Sequence, residues 1–387
     1  MKSVRIKVKK EILEWILRQL DGPETVHNRF PKFHEWLDGK VNPTIKQLEK
    51  LSKFTGIPMG YMFLEQPPVE EELPIPFYHT NTGINTQKAS KNLIKVIQVM
   101  LNRQDWLRKY LIDENKAGFS FTNKKMFLDC PEGAAPEYIA KKMRNVLAID
   151  KNWYKKQRNY SVALYNIIEK LSDIGINVVF SNSVYNNREV LDPDEFRGFV
   201  LFDDYAPFIF INGNDNKAFQ MFALLYGFAL VWLRQRAVFD LKYLQPADNI
   251  IAKTCYRIAA EFLAPSEEYK DFWTKNKHTD NIINSIAKYF KISEIIAARR
   301  ALDLELITEQ EFFSMYEKYQ VSYKKPQFSF RSNFCEKQKL RLGKIFVESV
   351  ISAVKREYLL YLEAYRMTGL YGKKFKLLED KCFSDLY

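Results

Sequence analysis

The hydrophobic and polar positions of the first 66 residues follow the pattern of several short helices. The segment VKKEILEWILRQLDG carries its apolar residues on one helical face, and Pro23 ends it. A short helix after Pro31 carries Phe33, Trp36 and Leu37, and a further helix over PTIKQLEKLSKF begins after a capping asparagine. Four or five short helices in about 65 residues match the size of a compact DNA-binding module.

The middle of the chain combines helices with short, uninterrupted apolar runs. The proline-rich, acidic residues 67–76 predict a stiff connector, and an amphipathic pattern predicts helices across residues 80–155. SVALYNIIEKLSDIG predicts a helix that Gly175 ends. INVVFSNS, FRGFVLFD and PFIFING then predict three short strands, because turn residues bound each run.

An almost wholly apolar helix is predicted next, over residues 218–236, after the capping pair Asp215-Asn216. Its apolar run from Met221 to Leu233 is shorter than the ~20 residues that a membrane span needs. The N-terminal stretch MKSVRIKVKKEILEW has no apolar core of a signal peptide. The pattern therefore predicts a buried helix and no contact with a membrane.

The order of these elements predicts an α+β fold that is predominantly helical. We expect a helical module of the helix-turn-helix type over residues 1–66 and a linker with a helical spacer over 67–155. A small-sheet core with helices follows over 156–275. The remaining residues, 276–387, are expected to be helical.

Composition adds a basic charge and a cysteine pattern. The 387 residues carry a net charge of +12 with a pI near 9.2, which favours an anionic partner such as nucleic acid. Codon bias in AT-rich genomes also produces basic proteins, so charge alone leaves both interpretations open. The four cysteines form no C-x-x-C pair, which excludes zinc-ribbon and redox motifs and predicts free thiols in a reducing cytoplasm.

The string WLDGKVNPTIKQLEKL resembles helix-turn-helix domains of the XRE type. The segment before Trp36 is shorter than the two-helix reader of that family and lacks its glycine turn. The resemblance implies DNA contact by Lys32, His34 and Lys40, with Arg29 toward phosphate. The alternative is a helical docking module without DNA contact.

The strings FRGFVLFDDYAPFIFINGNDNKAFQMFALL and CYRIAAEFLAP are similar to the ImmA/IrrE metallopeptidase family. In active members the helix carries H-E-x-x-H, whose histidines bind zinc and whose glutamate is the general base. Aligned on FALL, this chain has Tyr226 and Leu230 at the histidine positions and Gly227 at the glutamate position. The position of the acidic third ligand falls on Ala252. The resemblance thus implies a zincin-like core without catalytic residues, metal or cofactor.

The histidines do not restore the lost ligands in sequence. His27, His34, His79 and His278 all lie far along the chain from the apolar helix. A second interpretation is an altered site built from Tyr226, Asp203, Asp204 or Glu261, but these residues lack workable ligand spacing. Loss of the site is favoured, since the helix is then free to be apolar on all sides. Gly227 would be tolerated there if strand backbone approaches closely.

The C-terminal region contains a second helix-turn-helix-like pair in NIINSIAKYFKISEIIAARRALDLELI. Arg299, Arg300 and Lys288 are candidate phosphate contacts, and a helical pair that packs on the core is the alternative. The segment QKLRLGKIFVESVISAVKREYLLYLEAYRMTGLYGKKFKLLED resembles the C-terminal part of ImmA/IrrE proteins. Its many lysines form either a solvated face or a partner surface.

These resemblances imply a non-catalytic, antitoxin-like DNA-binding regulator. Its expected partners are operator DNA and a protein such as a PIN-like toxin encoded beside it. One alternative is an active zinc metallopeptidase of the same family that cleaves a repressor. Another is a nucleic-acid binder without a protein partner.

Overall fold

A computed structural model describes residues 5–18, 26, 28–55, 57–67, 72–80, 89–114, 133–184, 190–215, 217–279, 281–322 and 333–382. The chain divides into two compact units, Met1–Glu72 and Leu73–Tyr387. The fold is predominantly helical with one small mixed sheet, and the predicted α+β class is confirmed. The predicted boundaries inside the second unit stay predictions.

The first unit consists of short helices around one apolar core. They are α1 (Lys10–Arg18), α2 (Phe33–Leu37), α3 (Ile45–Thr55) and a 3-10 turn (Met59–Phe63). Phe33 and Trp36 are buried in the core, as the apolar pattern predicts. Helix α3 begins with a capping box in which the Thr44 N–H donates to Gln47 Oε1 at 2.8 Å and the Gln47 N–H donates to Thr44 Oγ1 at 3.3 Å. The predicted cap at the preceding asparagine is therefore wrong by two positions.

Helices make up most of the second unit. They are α4 (Lys91–Asp113), α5 (Pro136–Val146), α6 (Tyr160–Asp173), α7 (Lys217–Trp232), α8 (Ile250–Leu263), α9 (Ser266–Asn276), α10 (Ile282–Phe290), α11 (Glu294–Asp303), α12 (Glu309–Ser322), α13 (Phe334–Leu342), α14 (Lys344–Lys355), α15 (Tyr361–Thr368) and α16 (Lys373–Cys382). Side-chain caps from Ser90, Asn159 and Asn249 begin α4, α6 and α8. None of the helices in the described ranges combines the length and apolar character that a membrane crossing requires.

Five strands form one mixed sheet in the order β1-β5-β3-β4-β2. The strands are β1 (Phe77–Tyr78), β2 (Asn177–Ser181), β3 (Gly198–Leu201), β4 (Phe208–Asn212) and β5 (Ala237–Phe239). Strand β3 runs antiparallel to both β4 and β5, whereas β2 with β4 and β1 with β5 are parallel pairs. The three predicted strands correspond to β2, β3 and β4, and the pattern missed β1 and β5.

The apolar helix ends earlier than its sequence predicts. Helix α7 stops at Trp232, and Arg234 has the left-handed φ of 57° that turns the chain into β5. Polar residues at 234–236 interrupt the apolar pattern. The predicted helix over 218–236 ran past this break, which marks the end of the helix. Of the predicted capping pair, Asn216 lies outside the described residues, and the Asp215 carboxylate accepts a hydrogen bond from Arg197 at 2.5 Å.

Apolar layers cover both faces of the sheet. Ile209 and Ile211 of β4 pack into the cluster that contains α7 and α8, and Phe208 and Phe210 pack into the cluster that contains α4 and α14. A strand that is buried on both faces has no polar alternation, which explains the uninterrupted apolar runs of the sequence. Helix α7 therefore lies directly on one face of the sheet.

The cysteines differ from the sequence-based expectation. Cys335 of α13 and Cys382 of α16 form a disulfide, because their helices pack together and bring the two Cα atoms to 5.2 Å across 47 positions of sequence. Cys255 is free and buried, and Cys130 lies outside the described residues. The prediction of four free thiols is wrong for the bonded pair, so the cysteines no longer support a reducing compartment.

Candidate functional site

The resemblance assigns Tyr226, Gly227 and Leu230 of α7 and Ala252 of α8 to the zinc motif, and these four positions are called the degenerate motif below. Tyr226 and Leu230, at the assigned histidine positions, have no solvent exposure, and the same holds for Phe228 between them. Helix α7 packs on β3 and β4 on one side and on α8 on the other. Burial of such side chains stabilises a fold by roughly 1.5–3 kcal/mol each, so this helix contributes strongly to the core.

Gly227 lies where α7 packs closely on the sheet. A Cβ atom at this position would be 2.8 Å from Ile209 Cγ2 and 3.4 Å from Val200 Cγ2. The approaching atoms belong to strand side chains, which corrects the expectation of close strand backbone. A glycine in mid-helix costs about 1 kcal/mol relative to alanine, and the close packing on β3 and β4 explains why it is present. No space remains there for a glutamate side chain.

Tyr226 contributes the one oxygen among the four motif positions. Its ring packs on Phe239 of β5 with the ring centroids 4.7 Å apart. Its hydroxyl is buried and has no hydrogen-bond partner in the described structure. Burial raises the pKa of this hydroxyl well above its ordinary value, and Cys255, Tyr78 and Asp240 raise it further. The phenol is therefore neutral and is a poor ligand for a cation.

The partner helix α8 supplies no replacement for the acidic ligand. Ala252, at the expected ligand position, is fully buried and has only a methyl group. Cys255, one turn further along, is fully buried, and burial raises the pKa of its thiol. Zinc in proteins takes imidazole, thiolate and carboxylate ligands. The residues at this site do not fit a zinc ion.

The structure brings together a histidine and an aspartate that lie far apart in sequence. Because β1 pairs with β5, His79 Nδ1 lies 3.3 Å from Asp240 Oδ2. The other carboxylate oxygen, Asp240 Oδ1, accepts hydrogen bonds from the Thr80 N–H at 3.0 Å and from Thr80 Oγ1 at 2.8 Å. The sequence does not predict this pair, since β1 has two residues and carries no periodic signal. The described ranges hold no group of three potential metal-ligating side chains.

The acidic residues of the alternative site are engaged elsewhere. Asp203 Oδ1 accepts the backbone N–H groups of Tyr205 at 2.8 Å and Ala206 at 3.0 Å, which form a local turn. The exposed Asp204 pairs with Arg234 at 2.6 Å. Both carboxylates therefore have partners outside the degenerate motif.

The third acid of that alternative site, Glu261, is part of a buried ion pair with Arg300. Arg300 also donates from Nε to the Ala264 carbonyl oxygen at 3.0 Å, and its side chain is 9% exposed. Arg299 donates to Asp303 from Nε at 3.0 Å and pairs with it through Nη2 at 2.9 Å. Neither arginine lies on an open surface, because α11 packs against the core along most of its length. The sequence did not distinguish these arginines from surface cations, and we leave them out of the DNA interface proposed below.

The predicted DNA contacts of the first unit lie on its surface. Arg29, Lys32 and His34 are exposed in or near the five-residue helix α2, and Lys40 pairs with Asp38 at 2.8 Å. Helix α3 presents further exposed cations at helical spacing, which sequence analysis had not singled out. They are Lys46, Lys50 and Lys53.

Comparison with protein families supports one part of the resemblance directly. Residues 172–302 match a peptidase family model described as the IrrE N-terminal-like domain, and residues 342–381 match a domain of unknown function. No curated protein and no solved structure matches the chain. The first match spans β2 to α11 and contains all four degenerate motif positions. The helix-turn-helix resemblance of the first unit stays a prediction.

Proposed function

We propose that this chain is a non-catalytic regulator in which the IrrE-like domain serves as a scaffold for binding other molecules. The proposal rests mainly on the four motif positions. Tyr226, Gly227, Leu230 and Ala252 provide one neutral hydroxyl in place of two imidazoles and two carboxylates. The apolar packing at these residues is that of a core, and an open catalytic cleft would need polar side chains there.

We also propose that the first unit binds DNA. The first unit presents Arg29, Lys32 and His34 in or just before α2, with a row of lysines on α3. Cations on neighbouring helices suit the phosphates of a DNA duplex, which dominate its affinity for proteins. The short α2 offers few side chains to base edges, so we expect phosphate contacts to outweigh sequence reading.

The third part of the proposal is a protein partner, and the resemblance suggests a toxin encoded beside the gene. The segment around α15 exposes a group of large apolar and aromatic side chains. Five large side chains in this group are 49–70% exposed: Tyr358, Leu360, Tyr361, Leu362 and Tyr371. These residues define the α15 surface, and aromatic residues of this kind are enriched in interfaces.

Co-expression with the product of the neighbouring gene tests the partner and the lost zinc site together. We expect a stoichiometric complex that contains far less than one zinc ion per chain by elemental analysis. The double variant Leu360→Asp/Leu362→Asp should weaken the complex at least tenfold in a binding titration, because it places charge in the α15 surface. Ile250→Asp changes a residue that is 84% exposed elsewhere and is the matched control. One tightly held zinc ion per chain, or a complex unaffected by the double variant, contradicts the proposal.

DNA binding is tested with a fragment from upstream of the gene. In a fluorescence anisotropy titration, Arg29→Gln/Lys32→Gln should lower the slope of log affinity against log salt by about two, since each lost phosphate contact removes about one unit. Lys270→Gln/Lys277→Gln removes the same charge from exposed positions of the second unit and should leave the slope unchanged. Equal effects of the two variants would mean that the first unit is not the DNA-binding surface.

A further inference from the structure

A cleft of about 450 Å³ opens beside α8, away from the degenerate motif. Helices α8 and α11 and the start of α5 line it, and none of Tyr226, Gly227 and Leu230 does. A volume of this size is typical of small-molecule sites. Its lining is rich in charged side chains, whereas the motif region is apolar.

The inner wall of the cleft contains two arginines that the fold holds in fixed positions. Arg300 is fixed by Glu261 and by the Ala264 carbonyl oxygen, and among the described residues its Nη1 has no partner. Arg299 is fixed by Asp303 and lies over the Tyr256 ring at 5.7 Å. Fixed guanidinium groups lose little conformational entropy when they bind an anion.

The same ion pairs determine the charge of the cleft lining. Glu261 and Asp303 each face an arginine, so their negative charge is largely compensated. Arg257 also lines the cleft, is exposed, and has no ion-pair partner among the described residues. Glu137 is the remaining acid of the lining, and Lys253 pairs at 2.5 Å with Asp248, which lies outside the lining. The lining thus contains four cations, Lys253, Arg257, Arg299 and Arg300, against three acids, so its formal charge is +1.

We propose that this cleft binds a small ligand through a phosphate or carboxylate group, with Arg257 as the contact at the entrance. Guanidinium groups bind such oxygen pairs in a planar, two-point geometry. Ser266 also lines the cleft, and its hydroxyl donates to Glu261 Oε1 at 3.5 Å, so it is not counted among the anion contacts. The site is independent of the degenerate motif and of the DNA surface of the first unit.

Isothermal titration calorimetry tests this proposal. The full-length protein is titrated with pyrophosphate and with citrate at constant ionic strength. We expect at least one of these anions to bind, and Arg257→Gln to weaken that binding about tenfold, as loss of one charge-assisted contact does. The tighter of the two anions identifies phosphate or carboxylate as the ligand group. The matched control is Arg158→Gln, which removes the same charge at an exposed position outside the cleft.

Two outcomes of the titration would overturn the proposal. Absence of binding by both anions, or binding that Arg257→Gln and Arg158→Gln affect equally, excludes an anion site in this cleft. Arg257 is exposed and makes no ion pair in the described structure, so its replacement should not disturb folding. Thermal denaturation of both variants checks this point.

Discussion

Gly227→Glu is expected to destabilise the second unit by more than about 3 kcal/mol, enough to unfold much of the protein at 37 °C. The resemblance to ImmA/IrrE peptidases assigns a glutamate to this position in active members. Here its Cβ would already lie 2.8 Å from Ile209 Cγ2, and its carboxylate would be buried against β3 and β4 without a cation. Urea denaturation followed by circular dichroism measures the change in the free energy of unfolding.

Two control variants separate steric from electrostatic effects at this position. Gly227→Ala adds only the Cβ, whose overpacking cost of about 1–3 kcal/mol is partly offset by a gain of about 1 kcal/mol in helix propensity. Lys270→Glu places the same new carboxylate on the exposed face of α9 and should change stability by less than about 0.5 kcal/mol. A Gly227→Glu protein as stable as the parent would mean that α7 does not pack on the sheet as described.

Asp215→Ala should lower the free energy of unfolding by about 3–5 kcal/mol, because it leaves the buried Arg197 guanidinium without its counter-ion. The two side chains are 2.5 Å apart and at most 10% exposed, and the guanidinium lies 4.1 Å from the centre of the Phe219 ring. Arg197 Nε is also buried and has no hydrogen-bond partner in the described structure. The pair fixes the segment that leads into α7, so its loss should loosen the helix that carries the motif.

An exposed ion pair in the same unit is the matched control. Asp204→Ala breaks the 2.6 Å ion pair between Asp204 and Arg234, and both of these side chains are more than half exposed. The substitution should lower the free energy of unfolding by less than about 1 kcal/mol. The double variant Asp215→Ala/Arg197→Met removes the buried charge with its partner and should regain part of the loss. Similar losses for Asp215→Ala and Asp204→Ala would show that burial does not strengthen the Arg197 interaction.

The sequence predicted the main strands, and it fixes which residues stand at the positions that the resemblance assigns to zinc ligands, because each depends on local residue identity. A histidine or glutamate is absent from positions 226, 227 and 230 whatever the fold. Uninterrupted apolar runs likewise predicted β2, β3 and β4, since a strand covered on both faces excludes polar residues. Strands β1 and β5, of two and three residues, are too short to carry such a pattern.

Only the tertiary structure determined which residues far apart in sequence lie in contact. His79 and Asp240 are 161 positions apart, and Cys335 and Cys382 are 47 apart, yet strand pairing and helix packing bring each pair together. Arg300 looks like a surface cation in sequence and becomes buried because Glu261 of another helix neutralises it. Sequence determined which chemical groups this protein has, since that is fixed residue by residue. Burial and partnership depend on how distant segments pack, so only the folded chain decided which of those groups can reach a ligand.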